Sequence, residues 1–234
     1  VDTTVPSYRC HRYPAEIIVQ CVRLYFRFPL SHRGIEELMF ERGIIVSYES
    51  IRCWCHKFGP AIAAELRRRR PQPKGTWHLD EVFIKMNGKT YYLWRAVDAD
   101  GMVLDIPVQE RRNQAAAEAL LQRLMGEYQD QPRIVVIDKL ASYGPALRQV
   151  LPETEHHKHK GLNNRAENSH QPTRHRERAM RRFKSPVQAQ RFLEPFGIIR
   201  EHFCPGRHHL SGRDYRAILL TRFITWRDVT GSAG

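Results

Sequence analysis

Apolar positions in the first 70 residues recur at helical spacing. After Pro14, Ile17, Ile18, Cys21, Val22, Leu24, Tyr25 and Phe28 trace one helix face, and Pro29 ends it. Ser31 caps a second predicted helix carrying Ile35, Leu38 and Met39, closed by Gly43. Ser47 caps a third, in which Ile51, Trp54, Cys55 and Phe58 form the apolar stripe. Its opposite face shows Glu49, Arg52, Cys53 and His56, with Lys57 beside them. Two short helices joined by Gly-Ile-Ile-Val-Ser, the second with a polar and basic face, fit a helix-turn-helix; an ordinary three-helix packing unit fits the same pattern.

From residue 76 the period changes to that of strands. WHLDEVFIKM, a turn at Asn87-Gly88, KTYYLWRAVD, a turn at Ala99-Asp100-Gly101 and MVLDIPVQ predict a three-stranded antiparallel meander. Asn113 opens a helix through Ala115, Ala119, Leu120 and Leu124. Pro132 precedes a buried strand, Arg133 to Ile137, that ends at Asp138. A short helix over 144–150, a strand from Glu155 to Lys160 and a long basic helix from Asn163 follow. Leu210 to Val229 reads as a packing helix, with Tyr215, Leu219, Leu220, Phe223 and Trp226 at helical intervals. The order βββαβα(β)α predicts an α/β fold, a ribonuclease-H-like mixed sheet flanked by helices. The boundary falls near residue 72, giving an all-α domain over 1–72, basic linker included, and a catalytic-type domain with C-terminal helices over 73–234.

Charge sharpens this picture. The chain of 234 residues carries a formal net charge of +13, distributed as +6 over residues 1–75, −1 over 76–150 and +8 over 151–234. Arg67, Arg68, Arg69 and Arg70 are consecutive, and residues 158–184 hold 9 basic residues against 2 acidic ones. Such clusters neutralise phosphates, so double-stranded DNA is the leading partner. No apolar run is long enough for a membrane span. Five scattered cysteines argue against a disulfide framework and for a reducing cytoplasm.

Three carboxylates stand out: Asp80 within the first strand, Asp138 at the end of the fourth, and Glu167 early in the following helix. If the first and fourth strands are neighbours, the two aspartates converge and a crossing helix can deliver the glutamate. A cluster of this kind is costly without a cation, and its natural ligand is Mg²⁺, with Mn²⁺ as substitute. Two such ions about 4 Å apart activate the attacking oxygen and stabilise the leaving oxygen of a phosphodiester. Taken singly, each carboxylate reads as a structural strand-end or surface charge before it reads as catalytic. The histidine-rich stretch around His156 and the Cys53-x-Cys55 pair fit no paired zinc-ligand spacing.

The segments WHLDEVFIKMNGKTYYLWRAVD, VIDKLASYGPAL and HKGLNNRAENSHQPTRHRERAMRRFKS resemble the DDE transposases of insertion-sequence family six, over nearly the whole chain. The resemblance implies a ribonuclease-H-like, integrase-type core with Asp80, Asp138 and Glu167 as a triad holding two metal ions. It implies a preceding helix-turn-helix that binds terminal inverted repeats, 3′-end cleavage followed by strand transfer into target DNA, and a dimer or larger homo-oligomer. The host implied is bacterial or archaeal, with the protein cytoplasmic and on the nucleoid when bound. Relatives carry a basic residue seven positions after the glutamate, here Arg174, where some have lysine. Arg178, Arg181 and Arg182 extend that basic character along the chain at near-helical spacing. The stretch between Asp138 and Glu167 is shorter than in the best-known members. A DNA-binding regulator with an inert catalytic fold and a metal-dependent endonuclease are the alternatives.

Overall fold

The computed structural model describes residues 6–73, 75–128, 130–137, 142–158, 169–205 and 210–232. The chain divides into two compact units, one of residues 1–70 with 194–234 and the other of residues 71–193.

In the helical unit, α1 (Ala15–Arg27), α2 (His32–Glu41) and α3 (Tyr48–Arg68) pack together. Ser31 and Ser47 cap α2 and α3, each side chain accepting the N–H three residues on. Gly43, at φ +74°, ends α2 in the left-handed conformation that glycine tolerates. Ile18, Cys21, Val22, Ile35, Ile51 and Ile62 are sealed in the core. Gly59 faces α1 closely, since a Cβ there would lie 2.7 Å from the Phe26 ring. Helix α3 runs to Arg68, so Arg67 and Arg68 of the expected basic linker belong to its last turn.

The other unit is built on a mixed sheet of β1 (Thr76–Met86), β2 (Lys89–Asp98), β3 (Val103–Asp105), β4 (Val108–Gln109), β5 (Ile134–Ile137) and β6 (Glu155–Lys158). The strand order is β3-β2-β1-β5-β6, with β4 also on β2. β1 pairs antiparallel with β2 and parallel with β5, and β5 is parallel to β6. This antiparallel meander continued by parallel strands is the ribonuclease-H-like arrangement. Asn87 and Gly88, both at positive φ, make the primed turn that matches strand twist. The expected third strand is two short pieces, because Pro107 lacks a ladder donor and separates β3 from β4. One sheet face presents Trp77, Leu79, Trp94, Ala96, Val135 and Ile137 to α4 (Gln114–Glu127) and α5 (Tyr143–Val150), forming the apolar core.

α6 (Gln171–Ala179) follows, and α7 (Pro186–His202) passes from the sheet unit into the helical one at residues 193–194. α8 (Gly212–Thr230) is the last helix; it buries only Trp226, Val229 and Thr230, so it packs far less than its periodicity suggests. Residues 194–234 thus group with the first 70, although the sequence pattern runs them on from the sheet. Among the described residues no helix is long and apolar enough to cross a membrane.

Candidate active site and DNA-facing helix

Side chains alternate across a strand, so β1 turns Trp77 and Leu79 to the apolar core and His78, Asp80, Val82 and Ile84 to the other face. Asp80 is 6% exposed and lies opposite Arg95 of β2 in the antiparallel register. The two side chains therefore share one face of the sheet. The buried Arg95 guanidinium donates to the Ser169 carbonyl and, at 2.7 Å, to Thr173 Oγ1. These bonds fasten the entry to α6 against β2.

That fastening brings His170 onto the aspartate. His170 is 2% exposed, and its Nε2 lies 3.3 Å from Asp80 Oδ2 without the alignment of a straight hydrogen bond. Burial pushes the imidazole below its ordinary pKa, and the Asp80 carboxylate pulls only partly the other way. The ring is thus neutral at pH 7, and among the described residues no lysine or arginine forms an ion pair with Asp80. A buried carboxylate facing a neutral ring calls for a positive charge, and its oxygen donors suit a hard divalent cation.

Asp138 and Glu167 lie outside the described residues, as do Lys139 and Asn163. The β1–β5 pairing closes on Leu79 opposite Ile137, the residues immediately before Asp80 and Asp138 in the chain. Arg174, one turn beyond His170, places its guanidinium 5.8 Å from the exposed Phe83 ring of β1. Arg178 is exposed on α6, whereas Arg181 and Arg182 lie past its end with φ of 54° and 69°. They therefore do not continue the helical basic face that their spacing suggests. α6 starts at Gln171, so Pro172 sits in its first turn, where it costs no hydrogen bond.

On α3, Glu49, Cys53, His56 and Lys57 are exposed and Arg52 half-exposed, while Ile51, Trp54, Cys55 and Phe58 are buried, as the period predicts. Arg52 and Glu49 pair at 2.5 Å; hydrogen bonding from Arg52 holds the Glu49 carboxyl below the usual range and raises the guanidinium. Lys57 Nζ lies 2.9 Å from His11 Nε2. The arginine run is largely committed within its own unit. Arg68 and Arg69 both bind the buried Glu65, three and four residues upstream, and Arg70 binds the Ile198 carbonyl and Glu201. Arg67 stays partly exposed. Neither His170 nor Arg95 stands out in the sequence as a site residue. Only the spacing from Glu167 to His170 and the strand register point to them.

Residues 74–205, more than half the chain, match the DDE domain family of IS240 type. The chain belongs to the DDE transposases. It is 30% identical over 168 residues to the transposase of insertion sequence-like element IS431mec from Staphylococcus aureus, covering 70% of this chain and 75% of that protein. The same identity and coverage hold for the transposase of insertion sequence element IS257 in transposon Tn4003, also from Staphylococcus aureus. Among solved structures, the catalytic domain of the Mos1 mariner transposase aligns with TM-score 0.40 and 16% identity, over 76% of this chain and 92% of that one. The HTLV-2 integrase catalytic core in complex with magnesium aligns with TM-score 0.33 and 19% identity, over 43% of this chain and 68% of that one. DDE enzymes transfer phosphoryl groups on DNA and in general use divalent metal ions.

Proposed function

We propose that this transposase binds the terminal inverted repeats of its insertion sequence, cleaves the 3′ ends and joins them to target DNA, with Asp80, Asp138 and Glu167 as its metal-holding triad. The observation that carries the reading is the Leu79–Ile137 register pair, because the residue after each partner is one of the two aspartates. Chain length supports assigning the third carboxylate to the same locus. Glu167 precedes His170 by three residues, a span of at most about 11 Å of chain, and His170 touches Asp80.

Asp80, Asp138 and Glu167 would hold two Mg²⁺ ions, or Mn²⁺ in their place, which when bound activate an attacking oxygen and neutralise the leaving one. The protein's own contribution is positioning. Strand β1 fixes Asp80 in a buried setting, Arg95 anchors the entry to α6, and His170 limits the rotation of the Asp80 carboxylate. Arg174, beside β1, would bind a phosphate oxygen of the end being processed, and Arg178, Arg181 and Arg182 the backbone beyond it.

The exposed face of α3, with Glu49, Arg52, His56 and Lys57, is the helix-turn-helix reading surface, and Arg67 is a phosphate contact. Arg68, Arg69 and Arg70 would add positive field from where they are anchored. Two element ends must be held together, so the acting form is a homo-oligomer on DNA.

The test is strand transfer of a labelled element end into plasmid DNA with Mg²⁺ or Mn²⁺, comparing wild type with Asp80→Asn, Asp138→Asn and Glu167→Gln. Joined product from wild type alone is expected. Nicking without joining would instead indicate an endonuclease, and end binding with neither reaction would indicate a regulator with an inert catalytic fold.

A further inference from the structure

Strand β1 runs on past its parallel neighbour. Among the described residues its pairing with β5 spans Thr76 to Leu79, whereas its pairing with β2 continues to Met86. Phe83 stands on this overhang, 59% exposed and opposite Tyr92 of β2 in the register. Among the described residues of the sheet unit it is the one exposed Phe, Tyr or Trp. Tyr92 packs against the apolar core, so the ring is carried by an anchored hairpin.

The surroundings of the ring are cationic. The Arg174 guanidinium lies 5.8 Å from its centroid. Exposed Lys85 follows on the same face of the strand. Glu81, which precedes it on that face, is buried and paired with Arg112. An apolar surface for a protein partner extends over several residues, yet here Lys85 and its partner Thr90 are polar and exposed. One flat ring bordered by phosphate-binding cations matches the face of a single nucleobase.

Position along the strand narrows the choice further. Phe83 lies three residues beyond Asp80, about 10 Å at the rise of a strand and about three base steps of a duplex. In paired DNA each base face is covered by its neighbours, so the ring can gain a base only from a nucleotide lifted out of the stack.

We propose that Phe83 and Arg174 form a ledge for one unstacked nucleotide beside the cleaved phosphodiester, the ring against its base and the guanidinium against a neighbouring phosphate. The ledge deepens the proposed function and rests on its placing the reacting phosphate at Asp80.

The test uses duplex element ends in which 2-aminopurine, whose fluorescence rises when it leaves the stack, replaces each of the three bases on either side of the cleavage point in turn. Binding is followed without divalent metal, so that the DNA stays uncut. Wild type should raise the fluorescence several-fold at one of these positions, and Phe83→Ala, with unchanged circular dichroism, should not. In strand transfer with Mg²⁺, Phe83→Ala should lose about tenfold on fully paired ends and regain most of it when that position is mismatched, while Phe83→Tyr stays near wild type. A wild type that brightens no position, or a rise undiminished in Phe83→Ala, overturns the proposal. So does a Phe83→Tyr variant as impaired as Phe83→Ala with no rescue by the mismatch. Absence of strand transfer from every protein, with the Phe83-dependent rise intact, counts against the catalytic reading and leaves the ledge standing.

Discussion

The His170 imidazole lies 3.3 Å from the Asp80 carboxylate, with both side chains almost fully buried. In the proposed metal site such a neighbour would fix the carboxylate's orientation. Substituting a residue of this kind typically costs about 10–100-fold in metal affinity or activity. His170→Ala should reduce strand transfer within that range and raise the Mg²⁺ concentration needed for half-maximal rate, with His170→Gln recovering part of the loss. An unchanged metal requirement in His170→Ala would mean the contact only fills space.

Arg95 acts on the same locus from β2. Its guanidinium holds the Ser169 carbonyl and the Thr173 hydroxyl, and so the chain on either side of His170. Arg95→Met keeps the aliphatic stem but frees the entry to α6. Strand transfer should fall about tenfold or more through misplacement alone, while binding to inverted-repeat DNA in a mobility-shift titration stays near wild type. A parallel loss of DNA binding would show damage reaching the helical unit.

Gly59 lies against a core ring of the helical unit. A methyl group there would lie 2.7 Å from Phe26 Cε2 and 2.9 Å from Cζ, so a core ring must move. Overpacking of this sort costs about 1–3 kcal/mol. Gly59→Ala should lower the urea midpoint by a corresponding amount, and stability equal to wild type would show that the ring can swing away freely.

His202 supplies a pH dependence. It is buried with Nε2 2.8 Å from the Arg222 carbonyl, and burial lowers its pKa to about 4. The unfolded chain takes up a proton near pH 6.5 while the folded one resists until about 4, so this contribution is complete above pH 6.5 and declines as pH falls. The loss reaches about 3 kcal/mol by pH 4. Urea melts from pH 7 to pH 4 should show it, and His202→Gln, which can still donate to the carbonyl, should flatten that part of the slope. An identical slope in the variant would assign the effect to other groups.

The proposed reading face of α3 is tested at Arg52. Arg52→Ala removes a guanidinium that Glu49 already holds in place, so inverted-repeat binding should weaken by about 1–3 kcal/mol, with little change on unrelated DNA. Equal losses on both DNAs would make Arg52 a phosphate contact.

Local chemistry made much of this fold legible in the sequence. Ser31 and Ser47 announce helix starts, Asn87-Gly88 announces a primed hairpin, and strict alternation along β1 separates Trp77 and Leu79 from Asp80. Each signal needs only neighbours a few residues away. Of the three carboxylates that the sequence motif proposes, Asp80 is the one among the described residues, buried on the sheet face opposite the apolar core. What the tertiary structure decided are partners far apart in the chain. Periodicity says that a face is buried and never against what, so nothing in residues 194–234 shows that they group with the first 70. Charge runs say how many arginines there are, while Glu65 and Glu201 decide which of them are already engaged. Arg95 and His170 meet around Asp80 only because strand register and the entry to α6 bring positions 80, 95 and 170 to one place.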